Sequence, residues 1–552
     1  MTDRNGLKGV GRRAARRVEA LKGDSRGNVA LIFGLLMVPV AMLTFASLDL
    51  YRVTSARSNL QDALDAAALV AARTQTVDPV RINAAGQSAL TAGLQLGDGV
   101  RLVSSDFALV AGRIVANAET EIDPIISDLF MPNGLTTSAH SEIVRGATRL
   151  EIAMVLDVTG SMLESRGGVS KLQRLRTAGV ELVNIMQQTA TQSGDPSSVR
   201  MSVVPFGQTV RVGSQYRSGN NVNSDTVAPW LVDSTTHAVS NQLFSHAGSG
   251  APARTVNRFA LFDQVGRAWA GCVEQRPIPF DVTDAAPSPS QPNSYFIPYF
   301  APDEPDQENS YYVSGSTRYD LPTYNNYIDD KEPSSGWPTT NGFGQSRFWR
   351  AQGDVAKYSS PRWTDTNAGP NEGCELSPML RLTNDFNAIR TRINGLQAAG
   401  NTNIPLGLSW GWHSLSPNAP FSDGASYSDR DVTKVAILMT DGNNTNAISY
   451  NWNEALYSGV SYIKQNRLGI TAGNDAQRTA AMDARLALLC QNMRNQGVII
   501  YTVRVEVTDG SSDVLRNCAT SEENFYNVED ASQLSDAFRS IAGSITRLRI
   551  AQ

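Results

Sequence analysis

A run of apolar residues near the N-terminus, NVALIFGLLMVPVAMLTFASLDL, most constrains what this chain can fold into. From Val29 to Ala46 no side chain is charged and only Thr44 is polar. At about 1.5 Å per helical residue, such a run just crosses the hydrocarbon core of a bilayer. A cleaved signal peptide is the competing interpretation, but the length of the run and the lack of a small-x-small cleavage site weaken it. We therefore predict one retained transmembrane helix over residues 28–50.

The 27 residues before this run are rich in basic side chains, with eight bases and three acids. The bases are Arg4, Lys8, Arg12, Arg13, Arg16, Arg17, Lys22 and Arg26. By the positive-inside rule, they predict a cytoplasmic tail over residues 1–27 and place everything after about residue 50 outside the cytoplasm. The net charge of -5 over the whole chain gives no reason to expect a nucleic acid partner.

The four cysteines all lie beyond the predicted span, at Cys272, Cys374, Cys490 and Cys518. An even number in an oxidising compartment predicts disulfides, and three pairings are open. We favour Cys272 with Cys374 and Cys490 with Cys518, because each pair falls within one region of the chain. No Cys-x-x-Cys spacing or nearby pair of histidines favours zinc.

A helical pattern continues after the span, in SARSNLQDALDAAALVAARTQ. Leu60, Leu64, Ala67 and Ala71 recur every three or four residues, so residues 28–74 are predicted to form one helix of roughly 70 Å. Short runs of β-type sequence follow between residues 100 and 145. Residues 51–148 are therefore predicted to be a small pilin-like α+β segment, in which the long helix packs on an antiparallel sheet.

Strands and helices alternate from residue 149 to the end of the chain. LEIAMVL, VRMSVVPF, VAILM and VIIYTVRVEV are apolar runs typical of buried parallel strands, and amphipathic helices separate them. The pattern predicts a doubly wound α/β domain over residues 149–552.

A large irregular insertion, at about residues 208–372, interrupts this pattern. It holds 15 of the 25 prolines and 22 of the 41 aromatic residues, and a disordered linker would be poor in aromatics. We expect an ordered segment whose aromatics form its own small core, rather than a sugar-binding surface. The acidic residues of APDEPDQENS and YIDDKEP are expected on a solvated face.

Oxygen-bearing side chains follow two of the predicted strands and open one helix. Asp157, Thr159 and Ser161 lie in VLDVTGSM, Thr402 in AAGNTNIPLGL, and Asp441 in VAILMTDGNN. In an open α/β sheet, ligands bind at the carboxyl ends of the strands. Two acids and three hydroxyls, without sulfur or imidazole, suit a hard cation such as Mg²⁺ or Mn²⁺. An isolated D-x-T-x-S is otherwise an ordinary polar loop.

The three motifs together, in this order, resemble the metal-ion-dependent adhesion site of von Willebrand factor type A domains. The resemblance implies a Rossmann-like A domain whose metal ligands are Asp157, Thr159, Ser161, Thr402 and Asp441. It also implies that Ser161 and Thr402 bind the cation directly, and that the Asp or Glu of a protein partner completes its coordination. Thr159 stands where the family usually has serine, and this keeps the hydroxyl.

Further segments resemble the TadG-like proteins of the tight-adherence (Flp) pilus machinery. They are RGNVALIF, LQDALDAAALVAA, WAGCVEQR, GNTNIPLGLSWGWHSLSP and LRNCA. The resemblance implies a single-pass protein of a bacterial inner membrane, with its A domain in the periplasm or at the cell surface, and other pilus or envelope components as partners. The pilins of this machinery carry a glutamate five residues after the processing glycine, whereas Ile32 follows Gly27 at that distance here. We therefore expect a permanent anchor.

The motifs and resemblances leave three classes of function to consider. The favoured one is a metal-dependent protein-binding component of Flp pilus assembly and surface adhesion. The second is a structural, minor-pilin-like component whose A domain is only a scaffold. An enzyme is not expected, since the four histidines are scattered and no G-x-S-x-G, H-E-x-x-H or phosphate-binding G-x-x-x-x-G-K occurs. His413, after WGW, is expected to pack or cap rather than catalyse.

Overall fold

The structure is a computed structural model that describes most of residues 28–551. The ranges left out between these limits are 75–77, 111–112, 126–134, 145–148, 220, 235–236, 238, 240–255, 305–310, 315–316, 321–324, 330–354, 360, 364, 366–367, 449–454 and 508–512. The basic tail expected over residues 1–27, and parts of the insertion, lie outside the described residues. The chain divides after residue 145 into two compact units.

The first unit is a long helix with a second helix and a small sheet. Its elements are α1 (Asn28–Arg73), α2 (Pro79–Gly93), β1 (Val100–Val110), β2 (Arg113–Ile122) and β3 (Leu135–Val144). The strands form an antiparallel sheet in the order β1–β2–β3. The 46 residues of α1 correspond to about 69 Å.

The two halves of α1 have different surroundings. In the C-terminal half, the predicted stripe of Leu60, Leu64, Ala67 and Ala71 is buried against the sheet and α2. In the N-terminal half, the large apolar side chains of residues 32–51 are exposed. Among the described residues, α1 is long and apolar enough to cross a membrane, and it is a candidate single span.

The second unit alternates strands and helices around one sheet. Its elements are β4 (Arg149–Asp157), β5 (Ser165–Arg166), β6 (Val169–Ser170), α3 (Lys171–Gln192), β7 (Val199–Phe206), β8 (Val210–Arg211), β9 (Arg217–Ser218), β10 (Thr226–Val227), α4 (Arg258–Gln264), β11 (Cys272–Glu274), β12 (Ile297–Pro298), β13 (Tyr311–Ser314), β14 (Thr317–Asp320), β15 (Leu380–Thr383), α5 (Phe386–Asn394), α6 (Ile404–Leu415), β16 (Val432–Thr440), α7 (Asp475–Asn495), β17 (Ile499–Val505), α8 (Asp513–Cys518), β18 (Phe525–Val528) and α9 (Leu534–Ala551). The main sheet runs in the order β12–β11–β8–β7–β4–β16–β17–β18, and β15 pairs with β7.

Five strands, β7, β4, β16, β17 and β18, run parallel to one another and form one side of this sheet, with β18 at its edge. Alternate residues of β4 face opposite cores, as the two-residue period of a strand requires. Met154 packs in a core with α3, α5 and α9, and Val155 in a core with α4, α6, α7 and α8. Helices therefore cover both faces, as the alternation in the sequence predicts.

The short strands of the insertion, together with β15, which pairs antiparallel with β7, make the whole sheet mixed. The insertion strands β8, β11 and β12 extend the sheet with antiparallel pairs of one or two residues. Such short strands carry no readable period in the sequence.

The expectation that the aromatics of the insertion form a separate core was wrong. The rings of Trp230 and Phe296 pack against Trp410 of α6, with centroids 6.1 and 4.9 Å away. These side chains belong to the same core as β4 and α6, because a loop-rich segment gains more apolar contact on an existing sheet than by itself.

The expectation of a solvated acidic face was also wrong for two residues. Asp303 is fully buried and lies 2.7 Å from the ammonium of Lys357, and the buried Glu304 accepts a hydrogen bond from Tyr462. Partners distant in the sequence make this burial tolerable.

Two disulfides join Cys272 to Cys374 and Cys490 to Cys518, and no cysteine is free. These are the favoured pairs. The first ties β11 to the chain before β15, and the second ties α7 to the end of α8.

Candidate functional site

The carboxyl ends of β4 and β16 bring two acidic residues together. The strands are parallel neighbours with Leu156 opposite Met439, so Asp157 and Thr440 end them at the same level. Asp441 follows Thr440 directly. Asp157 is fully buried and Asp441 is 5% exposed. The sheet therefore holds both carboxylates at one edge, where ligands of such sheets bind.

Hydroxyl groups connect the two carboxylates. Oδ1 of Asp157 accepts hydrogen bonds from the backbone N and the Oγ1 of Thr159, at 2.9 and 2.7 Å. Its Oδ2 accepts from Thr440 Oγ1 at 2.6 Å. The Oγ of Ser161 lies 3.0 Å from Thr159 Oγ1 and donates to Asp441 Oδ1 at 2.7 Å. The result is a continuous oxygen network from one strand end to the next.

Thr402 reaches this network from the loop before α6. Its Oγ1 lies 3.4 Å from the Oγ1 of Thr159, and its backbone N donates to Thr445 Oγ1 at 3.0 Å. The loop is held to the end of β4, because Gly160 N donates to the carbonyl of Gly400 at 3.2 Å. Gly400 has a φ of 73°, which a side chain would strain. The structure thus brings all five predicted site residues together.

Lys171 adds a positive charge beside the five predicted site residues. It is the first residue of α3 and only 6% exposed. Its Nζ donates to Asp441 Oδ2 at 3.1 Å and to Glu164 Oε2 at 2.7 Å, and lies 4.0 Å from Glu506 Oε2. Burial lowers the pKa of Lys171, but the hydrogen bond to Glu164 and the charge and hydrogen bond of Asp441 outweigh burial and raise it above its ordinary value. A fixed ammonium therefore lies against one carboxylate of the site.

The surroundings of Asp157 change the pKa of its carboxyl strongly. Burial, with a contribution from the nearby charge of Asp441, raises the pKa of Asp157 to about 7. The hydrogen bonds from Thr440 and Thr159 stabilise the carboxylate and oppose this rise. Near neutral pH, Asp157 thus gains or loses a proton easily, and a positive charge beside it would favour the ionised form.

The chemistry of the donors fits a small hard cation. Two carboxylates and three hydroxyls lie together in this network. Ser161 is only half-buried, so solvent can reach the network at this residue. The ammonium of Lys171 already contacts Asp441, so this edge attracts positive charge. In the described part of the chain, no group of three or more histidine, cysteine or carboxylate side chains could hold a metal ion. A cation here would depend on hydroxyl ligands, as Mg²⁺ with retained waters can.

Nothing about His413 suggests catalysis. The side chain is 2% exposed, and its ring lies 4.9 and 5.4 Å from those of Phe296 and Trp410. Burial, together with the charge of Arg276, lowers its pKa well below the ordinary value. The expectation that His413 packs is consistent with this position.

Comparison with known proteins links the N-terminal segment to pilus assembly. Residues 27–74 match the family model described as "Putative Flp pilus-assembly TadE/G-like". Comparison with curated protein sequences gives no match. The matched segment contains the whole of α1, so the family likeness concerns this helix and not the α/β unit.

Solved structures similar to this chain include pilus proteins. The von Willebrand factor domain of the type V pili tip protein Mfa5 from Porphyromonas gingivalis is 11% identical, with a TM-score of 0.30, over 72% of this chain and 95% of that one. The adhesive tip pilin GBS104 from Group B Streptococcus agalactiae is 12% identical, with a TM-score of 0.31, over 72% and 100%. A mutant of the PilB minor pilin from Streptococcus sanguinis is 10% identical, with a TM-score of 0.30, over 83% and 82%.

Proposed function

We propose that this chain is a membrane-anchored component of Flp pilus assembly and surface adhesion, and that its α/β unit is a von Willebrand A-type domain that binds a protein partner through Mg²⁺ or Mn²⁺. The observation that carries the proposal is the oxygen network joining Asp157, Thr159, Ser161, Thr402 and Asp441 at the carboxyl edge of the sheet. The family match over residues 27–74 supports the pilus context.

The five residues of this network would hold a cation together. Ser161 and Thr402 offer neutral oxygens, and Asp157 and Asp441 offer charge. When bound, the cation would supply a site for an acidic side chain of the partner. The network fixes the positions of these side chains beforehand, so little conformational entropy is lost on binding.

The proposed location is a bacterial inner membrane, with residues 1–27 in the cytoplasm and the α/β unit in the periplasm or at the surface. The two disulfides support an oxidising compartment for the α/β unit. A reporter active only outside the cytoplasm, fused after Gln552, should be active. Activity of a cytoplasmic reporter at the same position would contradict this orientation.

A structural role is the second candidate. One observation favours it, because the family match covers the anchor helix and none of the α/β unit. In this alternative, α1 and the small sheet pack with other pilus components, and the α/β unit is a scaffold.

Substitution at the candidate site distinguishes the two. Asp441→Asn removes a charge from the edge, and Ser161→Ala removes one half-buried hydroxyl with little risk to folding. Exposed Asp431→Asn is the matched control. In calorimetry on the full chain in detergent, wild type and Asp431→Asn should bind Mg²⁺, and each site variant should bind at least about tenfold more weakly, since a lost charge-assisted contact is worth about 1.5–3 kcal/mol.

The same variants then replace the chain in its host. If site variants present at normal levels fail to support pili or adhesion, the metal-dependent function holds. Full restoration by Asp441→Asn would contradict it and favour the scaffold role. Equal Mg²⁺ binding by all four proteins would show that the oxygen network merely closes a loop.

A further inference from the structure

The apolar half of α1 ends close to a fixed point of the first unit. From Val29 to Leu48 the helix carries no charged side chain, and these 20 residues correspond to about 30 Å, the thickness of a bilayer core. Asp49 is the first charged residue after them. If α1 spans a membrane, Asp49 lies at the edge of the hydrocarbon and Arg52 about 4.5 Å beyond it.

Asp49 and Arg52 both hold loops of the small sheet. Oδ1 of Asp49 accepts a hydrogen bond from the backbone N of Ile125 at 3.0 Å. The guanidinium of Arg52 donates to the carbonyls of Asp98 and Asp123, at 2.6 and 2.9 Å. These contacts join residues 94–98, before β1, and residues 123–125, after β2, to one turn of α1. We call these two loops the collar.

The two loops of the collar lie at one end of the sheet. Val100 of β1 pairs with Ile122 of β2, and Asp123 N donates to the carbonyl of Gly99 at 2.7 Å. The polar headgroup layer extends roughly 5–7 Å beyond the hydrocarbon on each side. Loops bonded to residues 49 and 52 therefore lie within that layer.

The collar exposes large apolar side chains beside the end of the span. Leu96 is 46% exposed and Ile125 is 50% exposed, and the neighbouring Leu50 and Tyr51 of α1 are 65% and 70% exposed. Single exposed apolar residues are ordinary on a soluble surface. Here they are continuous with the exposed apolar half of α1, and tyrosine is enriched at membrane interfaces.

We propose that the collar is a lipid-contact surface, on which the first unit rests against the same bilayer that α1 crosses. This proposal rests on the proposed membrane anchoring. Leu96 and Ile125 enter the interface, and the bonds of Asp49 and Arg52 keep them at its level. The unit then lies directly on the membrane instead of extending from it on a free helix.

The charges of the collar indicate which lipid it contacts. Asp98 and Asp123 are exposed acids, and Arg52 is occupied by two backbone carbonyls. Anionic headgroups would therefore gain no free cation from these residues. The contact should be apolar and should occur on zwitterionic lipid.

Spin labelling of the full chain in nanodiscs tests this surface. The four native cysteines are all in disulfides, so single cysteines can be introduced as Leu96→Cys and Ile125→Cys. Leu69→Cys is the matched control, because Leu69 is 47% exposed but lies 17 residues beyond Arg52, at about 26 Å along α1. In phosphatidylcholine, labels at 96 and 125 should show a several-fold higher ratio of oxygen to aqueous nickel-complex accessibility than the label at 69.

Two further measurements complete the test. Arg52→Ala releases the collar, so the label at 96 should lose its lipid exposure while the label at 69 is unchanged. Alkaline carbonate extraction reports the anchor separately. A chain that is extracted would refute membrane anchoring, whereas a retained chain whose labels at 96, 125 and 69 behave alike would overturn the collar alone. Lipid exposure that requires anionic lipid would overturn the apolar contact.

Discussion

The proton on Asp157 makes the stability of the α/β unit depend on pH in a defined direction. The pKa of its carboxyl is about 7 in the folded chain, against an ordinary value of 3.8, chiefly because the residue is fully buried. In the unfolded chain the carboxyl ionises near pH 4, whereas in the folded chain it stays protonated up to about pH 7. The folded state thus binds the extra proton over this interval, and stability should fall as pH rises through it.

The size of the loss follows from the two pKa values. A difference of this size corresponds to about 4 kcal/mol of stability, lost between about pH 4 and 7 and constant above that. Asp157→Asn mimics the protonated acid in shape and charge and cannot ionise. It should therefore be more stable than wild type by less than about 2 kcal/mol near pH 5, and by up to about 4 kcal/mol at pH 8.

Urea unfolding of the full chain, followed by tryptophan fluorescence, measures this difference. All eight tryptophans lie between residues 230 and 452, so the signal reports on the second unit alone. Other groups also titrate, but the difference between wild type and Asp157→Asn isolates one carboxyl. Exposed Asp431→Asn should follow wild type at both pH values. If Asp157→Asn shows the same pH dependence as wild type, the proposed protonation of Asp157 is wrong.

Two further substitutions test the charge and the packing around the site. Lys171→Gln should tighten Mg²⁺ binding about tenfold or more in calorimetry, because an ammonium 3.1 Å from Asp441 Oδ2 would repel a cation held by the same carboxylate; unchanged affinity would refute this competition. Gly411→Ala should lower the free energy of unfolding by about 1–3 kcal/mol, because the new Cβ would lie 2.3 Å from Val155 Cγ2 where α6 crosses β4. Gly369→Ala, whose Cβ meets nothing within 4 Å, should have no such effect.

The sequence predicts the meeting of Asp157 and Asp441 because parallel strands align their carboxyl ends. Each acid directly follows an apolar run, and the order of those runs along the chain is enough to place both at one edge. Thr402 is harder to place, because its loop reaches the edge through Gly160, Gly400 and a contact to Thr445. The sequence offers Thr402 as a hydroxyl in a glycine-led loop before a helix, and it is the family resemblance that assigns this residue to the metal site.

Lys171 and the insertion show where sequence reasoning ends. A lysine at the start of an amphipathic helix is expected to face solvent. The tertiary structure instead places the ammonium of Lys171 between Glu164, Asp441 and Glu506. The side-chain partners of Asp303 and Glu304, which are Lys357 and Tyr462, are more than 50 residues away in sequence. Burial of charge is decided by such distant partners, and a local pattern does not contain them.

The charges of the candidate site also bear on what it can bind. The ammonium of Lys171 faces three carboxyl groups, those of Glu164, Asp441 and Glu506, so with Asp157 protonated this edge already holds more acidic than basic groups. Uptake of a divalent cation would release the proton of Asp157, because the added positive charge favours the ionised carboxylate. Because three of the five proposed donors are uncharged hydroxyls, the donor set itself supplies only two negative charges, which balance a divalent cation. A partner's carboxylate could then join the cation without facing a surplus of negative charge among its ligands.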